Sequence, residues 1–356
     1  GGLGSLCESL QGKVQNLNYK TLPLRLDVEF AIMTNNSAKY TEINDKYGFD
    51  KSTAGVISLN GADLKSAKFH YLENLVTFDD KDAPKQNYGS RIGQEHDFGK
   101  NIQAAWYAGL QNVCKVSREQ NQEKRVIFHS AYLLMPSGMV HQIGKMMNGD
   151  YGDCSKVRIT FLTNSPFTTD LGPINVLARY QLGALFTYYR YLETYADANG
   201  GSKFGKFYPK LEYYEYNEVG DFGPVELSLH TKTSLIGDVL IVGSANADVR
   251  SYYMDTNNAL MIRNAYDLNK EYTQFVDSII KSGRVRNAIG DFEKKAISTL
   301  EAKNQEYLKD AAIKYKKEKN LSEERMIKVM QAMNQAGKVV FDTTNDLLLF
   351  RNKFKV

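Results

Sequence analysis

Two apolar runs with only two residues between them constrain this chain more than any other feature of its sequence. Residues 227–236 and 239–243 read as β-strands, and Gly237-Asp238 between them suits a two-residue hairpin loop, where glycine adopts a positive φ at no steric cost. The hairpin closes a series of strands and helices. Residues 125–134 hold a strand centred on Val126-Ile127-Phe128, and residues 156–162 hold another with Val157, Ile159 and Phe161 on one face. Residues 210–216 and 259–263 complete the set. Between the strands, residues 101–113 place Ile102, Ala105, Trp106, Gly109 and Val113 on one helical stripe, and residues 138–147 and 175–195 are also helical. Strands separated by helices, then a hairpin, predict an α/β layered domain with a mixed sheet.

The ends of the chain read differently. Beyond Asp267 the pattern predicts helices over residues 268–281, 285–315 and 322–340, with Ser322 capping the last of them ahead of Glu323 and Glu324. Residues 1–100 are rich in Asn, Asp, Lys and Gly. They offer one clear strand at 24–30, where apolar and charged side chains alternate, and a long loop at 79–99. The expected division is therefore an N-terminal region (1–100), a layered unit (101–266) and a helical C-terminal extension (267–356). The first region is readable as a remnant of an earlier half of the fold. No internal repeat is visible.

Composition narrows the classes. With 356 residues, 42% hydrophobic and 24% charged, the chain can bury an ordinary core, which excludes intrinsic disorder. No apolar run reaches the roughly 18 residues of a membrane-crossing helix. The opening Gly1-Gly2-Leu3-Gly4 lacks the basic-then-apolar layout of a secretion signal, and a start without Met is expected of a processed or truncated chain. Cys7, Cys114 and Cys154 are widely spaced, predicting neither a zinc site nor a disulfide framework and fitting a reduced protein. The net charge of +4 is too small to argue for nucleic acid, but residues 281–356 hold 17 Lys or Arg against 10 Asp or Glu, a surplus of 7. A solvated helical face is the expectation there; contact with anionic lipid or nucleic acid is the alternative. The aromatic runs at 186–195 and 204–216 are expected to pack in the core.

The hairpin also carries the residues with chemistry. His230 and Lys232 are two apart on a strand and point to one face. The turn brings Gly243, Ser244 and Asn246 back beside them. An imidazole, an ammonium, a hydroxyl and an amide around one small space suit a tetrahedral anion: the imidazole can attack phosphorus while Lys232 and Asn246 donate to the equatorial oxygens. Glycine at 243 would let the backbone approach the ligand. Asp248, Arg250 and Ser251 extend the cluster as substrate-binding candidates. A lone His-x-Lys is usually unremarkable, but core packing offers no reason for so many polar residues to gather.

On these residues the chain resembles the phospholipase D superfamily, whose HKD signature is His-x-Lys, an Asp and a downstream Gly-Ser-x-Asn. Within it the resemblance is to bacterial cardiolipin-synthase-like phosphatidyltransferases. Ser130-Ala131-Tyr132, Leu162-Thr163-Asn164-Ser165 with Asp170, and Tyr214-Glu215-Tyr216 support it, over residues 100–265. The resemblance implies a phospholipase D-like α-β-α domain with a mixed sheet. It also implies phosphodiester transfer or hydrolysis on phospholipids through a phosphohistidine, with no metal or cofactor. His230 would be nucleophile or general acid, and Lys232, Ser244 and Asn246 the phosphate cradle. Peripheral membrane contact, or a secreted or periplasmic setting, goes with that reading.

Three departures from the family pattern stand out. The family's Asp falls five residues after the Lys, where this chain has Gly237; Asp238, one later, is either the catalytic carboxylate or an ordinary turn residue. Where relatives carry a Glu after Arg-Ser, this chain reads Asp255-Thr256-Asn257-Asn258. Only one signature is present: His70, His96, His129 and His141 are not followed two residues later by Lys, and His129 is expected to be structural. The second catalytic half would come from a homodimer mate, another chain or a missing N-terminal portion. Two rivals remain: a single-motif homodimeric nuclease of the same superfamily, with nucleic acid the less expected partner, and a catalytically silent scaffold.

Overall fold

The computed structural model describes residues 66–74, 101–166, 168–169, 172–198, 207–217, 228–253, 255, 257–292, 309, 313 and 322–349. The strand expected at 24–30 and the loop expected at 79–99 lie outside the described residues. In chain order the elements are β1 (Lys68–Asn74), α1 (Asn101–Gln120), β2 (Lys124–Ser130), α2 (Ser137–Met147), β3 (Val157–Asn164), α3 (Gly172–Ala198) and β4 (Lys210–Tyr216). There follow β5 (Lys232–Ile236), β6 (Val239–Gly243), a short α4 (Val249–Tyr253), β7 (Asn257–Arg263), α5 (Tyr266–Lys281), β8 (Val285–Asn287) and α6 (Glu323–Leu349).

All eight strands form one sheet in the order β1-β7-β6-β5-β2-β3-β4-β8. Its centre, β2-β3-β4, is parallel, and the remaining neighbours pair antiparallel. The parallel strands are joined through α2 and α3 and are largely buried, as strands covered on both sides are. The mixed α/β sheet and the C-terminal helix agree with the sequence reading. The sheet takes strands from all three sequence segments: β1 precedes residue 101 and β8 follows residue 266.

Alternation along the strands sorts the core into two layers. Val126 and Phe128 of β2, Ile159 and Phe161 of β3, Leu211 and Tyr213 of β4 and Ile241 of β6 face α1, α2, α3 and α6. Ile127, Leu162, Leu235, Leu240 and Ile262 face α5 through Val276. The aromatics Phe186, Tyr188, Tyr189, Tyr208 and Tyr213 are buried, as expected for core packing. Helix α6 lays Phe341 and Leu348 against α2 and α3, and the Ser322 hydroxyl accepts the Arg325 amide at 3.3 Å, the expected N-cap.

Two expectations are corrected. Residues 285–287 are a strand and not the start of a helix, 289–292 form one 3-10 turn, and 293–308 of the expected helix lie outside the described residues. Gly283 takes φ +77° after α5, and β8 then adds to the edge of β4, with Tyr214 opposite Asn287 and Tyr216 opposite Val285. Edge pairing outweighs a local helical pattern because the free edge of β4 offers backbone partners that periodicity cannot foresee. The cysteines are also not all reduced: Cys114 on α1 and Cys154 before β3, both fully buried, form a disulfide across 40 residues. Their spacing carried no sign of it, because only the packing of α1 against the turn before β3 brings their Cα atoms to 4.8 Å.

Candidate active site

The polar cluster gathers where β2 and β3 end, β5 begins and β6 ends. Ser130 is the last residue of β2 and pairs in register with Lys232, the first of β5. Gly237 has φ +59° while Asp238 keeps an ordinary negative φ, as a two-residue loop with glycine at its first central position requires. With Ile236 opposite Val239, the hairpin register puts Gly243 and Ser244 beside the start of β5.

His230 and Lys232 meet directly. The Lys232 ammonium lies 3.2 Å from Nδ1 and 3.3 Å from Nε2 of His230 and donates to the His230 carbonyl at 3.1 Å. The ammonium is about equally far from both ring nitrogens, so it lies beside the ring and not on the axis of one lone pair; a neutral imidazole keeps one lone pair, which is what an attack on phosphorus uses. Among the described residues the ring has no other polar partner, and no carboxylate orients it.

Asn246 is buried behind this pair. Its backbone amide donates to Ser251 Oγ at 3.0 Å, and its Oδ1 lies 3.3 Å from the Ser130 hydroxyl. Ser130 in turn donates to the Tyr132 carbonyl at 2.7 Å and accepts the Ala247 amide at 3.0 Å. With Oδ1 turned to Ser130, the amide NH₂ of Asn246 is turned away from it, as a donor for an anion must be. Asp248 caps α4: its Oδ1 accepts the Ser251 amide at 2.7 Å. Its residue is 1% exposed, and among the described residues Oδ2 has no hydrogen-bond partner. Burial raises its pKa, and the bonds from Ser251 only partly oppose this.

Other candidates have different work. Ser244 Oγ donates to Asn257 Oδ1 at 3.1 Å and accepts the Asn258 amide at 3.0 Å, which ties the end of β6 to β7. Asn257 donates to the carbonyls of Ser251 and Asp255 at 3.3 and 3.4 Å. Arg250 pairs with Asp255 at 3.3 Å. A Cβ on Gly243 would sit 2.2 Å from the Asn258 carbonyl oxygen, so what this glycine makes room for is the neighbouring strand β7.

Asp238 is not brought to this cluster. It stands at the turn, the opposite end of the hairpin from His230, where both carboxylate oxygens accept from Lys124 at 2.8 and 3.0 Å. His129 is fully buried on the opposite face of the sheet, hydrogen-bonded through Nδ1 to Tyr272 at 3.0 Å, and burial lowers its pKa to about 4. It is a structural histidine. Asp170 and His96 lie outside the described residues. Ser130 and Asn164 stand in stretches that support the resemblance, but no local feature of the sequence marks either for a role. Their signal was their place, each closing a parallel strand, where α/β sheets build their sites.

Fold and site together define an α/β protein with a mixed sheet and an imidazole–ammonium pair at the mouth of its central strands. No family model and no curated protein matches the chain. It is similar in structure to a phosphatidylserine synthase of Haemophilus influenzae Rd KW20, with 11% identity and a TM-score of 0.39 over 71% of this chain and 46% of that one. It is similar also to NucT from Helicobacter pylori, with 10% identity and a TM-score of 0.32 over 60% of this chain and 98% of that one. A third similar structure is a phospholipase D family member, Nuc from Salmonella typhimurium, with 9% identity and a TM-score of 0.32 over 62% and 97% of the two chains. The chain thus spans less than half the length of the phosphatidylserine synthase.

Proposed function

We propose that this chain is a phospholipase D-like enzyme that transfers or hydrolyses phosphodiesters of phospholipids through a phosphohistidine. The observation that carries this reading is the Lys232 ammonium 3.2 Å from the His230 ring, beside an Asn246 whose amide oxygen faces Ser130. A nitrogen of neutral His230 attacks phosphorus and forms the N–P bond, and the bond to the leaving alkoxide breaks. Lys232 and Asn246 hold the equatorial oxygens as negative charge builds. Water or an acceptor alcohol then attacks phosphorus, its proton passing to the group that protonated the first leaving alkoxide, and the electron pair of the N–P bond returns to His230.

The departing alkoxide needs a proton, and a second imidazole is the fitting donor. His129 is buried on the other face, so we assign that donor to a second signature, supplied by a homodimer mate, another chain or a further portion of the same protein.

Support for lipid over nucleic acid is that Arg250 is paired with Asp255, while a polynucleotide is held by many cationic contacts. Peripheral contact with a bilayer follows from this reading. Among the described residues no helix is long and apolar enough to cross a membrane.

The test measures release of headgroup from phospholipid vesicles, and of nucleotides from DNA, by wild type and His230→Ala, with and without a chelator. Headgroup release that survives the chelator, vanishes in His230→Ala and leaves labelled phosphate on the wild-type histidine supports the proposal. Cleavage of DNA alone moves the reading to a nuclease, and inactivity of the assembled protein on both leaves a scaffold.

A further inference from the structure

The residue that carries the nucleophile lies outside the sheet. Strand β5 begins at Lys232, so Leu229, His230 and Thr231 have no ladder of their own. The Thr231 carbonyl accepts from the Ala131 amide at 3.1 Å. Leu229 is held by a side chain: its amide donates to Asn164 Oδ1 at 2.7 Å, and its carbonyl accepts from Asn164 Nδ2 at 2.8 Å. Donating and accepting with one residue is how a peptide unit of a neighbouring strand binds its partner.

The topology explains why a side chain is used. In the sheet β2 lies between β5 and β3, and β2 ends at Ser130. Beyond that point, among the described residues, no strand stands next to residues 229–231 on that side. Asn164, the last residue of β3, reaches past the end of β2 and takes its place. Its amide is locked in turn: Nδ2 also donates to the Ala131 carbonyl at 3.2 Å, and Thr168 Oγ1 donates to Oδ1 at 3.4 Å. The residue is 1% exposed, so water does not compete for these bonds.

We propose that Asn164 is a positioning residue for catalysis, which fixes the backbone next to His230 so that its ring meets Lys232 and the phosphorus at the right distance. This rests on the phosphodiester-transfer reading and deepens it. An attacking group displaced by about 1 Å loses about 100-fold in rate, so the effect falls on the chemical step.

The experiment follows formation of the phosphohistidine in a single turnover with bis(p-nitrophenyl) phosphate, together with kcat, KM and thermal melting, for wild type, Asn164→Ala, Asn164→Asp and His230→Ala in the assembled protein. Asn164→Asp keeps an acceptor for the Leu229 amide and turns a carboxylate oxygen towards the Leu229 carbonyl, so it breaks one of the two bonds at constant shape. The expected result is a phosphorylation rate and kcat about 100-fold lower in Asn164→Ala, and lowered in Asn164→Asp, with KM near wild type. An undiminished phosphorylation rate in a folded Asn164→Asp overturns the inference, as does a loss that appears only as raised KM. Should Asn164→Ala fail to fold, Asn164→Asp decides the matter. If wild type forms no phosphohistidine, the proposed function itself falls; if wild type forms it, His230→Ala does not and both Asn164 variants match wild type, only the role of Asn164 is lost.

Discussion

The hydroxyl of Ser130 lies 3.3 Å from Oδ1 of Asn246 and accepts the backbone amide of Ala247 at 3.0 Å. One side chain at the end of β2 thereby holds the backbone of the loop after β6, on which Asn246 stands. Because the Ser130 pairing lies in the interior, its loss is not made good by solvent.

Ser130→Ala should therefore lower kcat on a phosphodiester substrate about 10-fold, the worth of one hydrogen bond to an oriented group. Thermal melting of the same variant should drop as well, because the Ala247 amide is left without its acceptor. A wild-type kcat in this variant would show that Asn246 is held without Ser130.

Asp238 behaves differently. Its two bonds from Lys124 lie at the far end of the hairpin, and Lys124 is nearly buried. Asp238→Asn should cost about 1 kcal/mol of stability in denaturant melts, from a weakened ion pair. It should act on the stability of the turn and not on the rate of phosphohistidine formation. A variant equally stable but inactive would place Asp238 in the chemistry after all.

His129 gives the stability of the protein a pH dependence. Its folded pKa is about 4 against 6.5 for the ordinary imidazole, because burial disfavours the cation. A depressed pKa contributes stability that is present above pH 6.5 and lost as the pH falls to about 4, since the unfolded state takes up the proton first. The difference corresponds to a loss on the order of 3 kcal/mol between those limits. Denaturant melts from pH 7 to pH 4 should show a shallower fall for His129→Gln, which keeps a polar partner for Tyr272 and does not titrate there.

The Cys114–Cys154 disulfide closes a 40-residue loop, and removing it should destabilise the fold by about 4 kcal/mol through the greater freedom of the unfolded chain. Melting of the wild type with and without reductant, beside a Cys114→Ala/Cys154→Ala variant, measures this. Equal melting temperatures would mean that the two buried thiols pack as well reduced as bridged.

Much of the architecture was legible in the sequence. The hairpin at Gly237-Asp238, the parallel strands around Phe128 and Phe161 and the helices between them are local matters: each needs only a period of apolar residues and a turn former, which neighbouring positions carry. The nearness of His230 to Lys232 was local as well, the two being two residues apart, although the strand expected from 227 begins only at Lys232 and leaves His230 outside it. The pairing of Cys114 with Cys154, the addition of β8 to β4 where a helix was expected, the bonds from Lys124 to Asp238 and those from Asn164 to Leu229 were not local. Each joins residues far apart in the chain, and such contacts arise only when whole elements pack. The chemical groups, then, were written in one short stretch of sequence. What holds them in place, a serine closing one strand and an asparagine closing the next, was decided by the order of strands in the sheet, because β2 stops one residue short of the segment that bears the nucleophile.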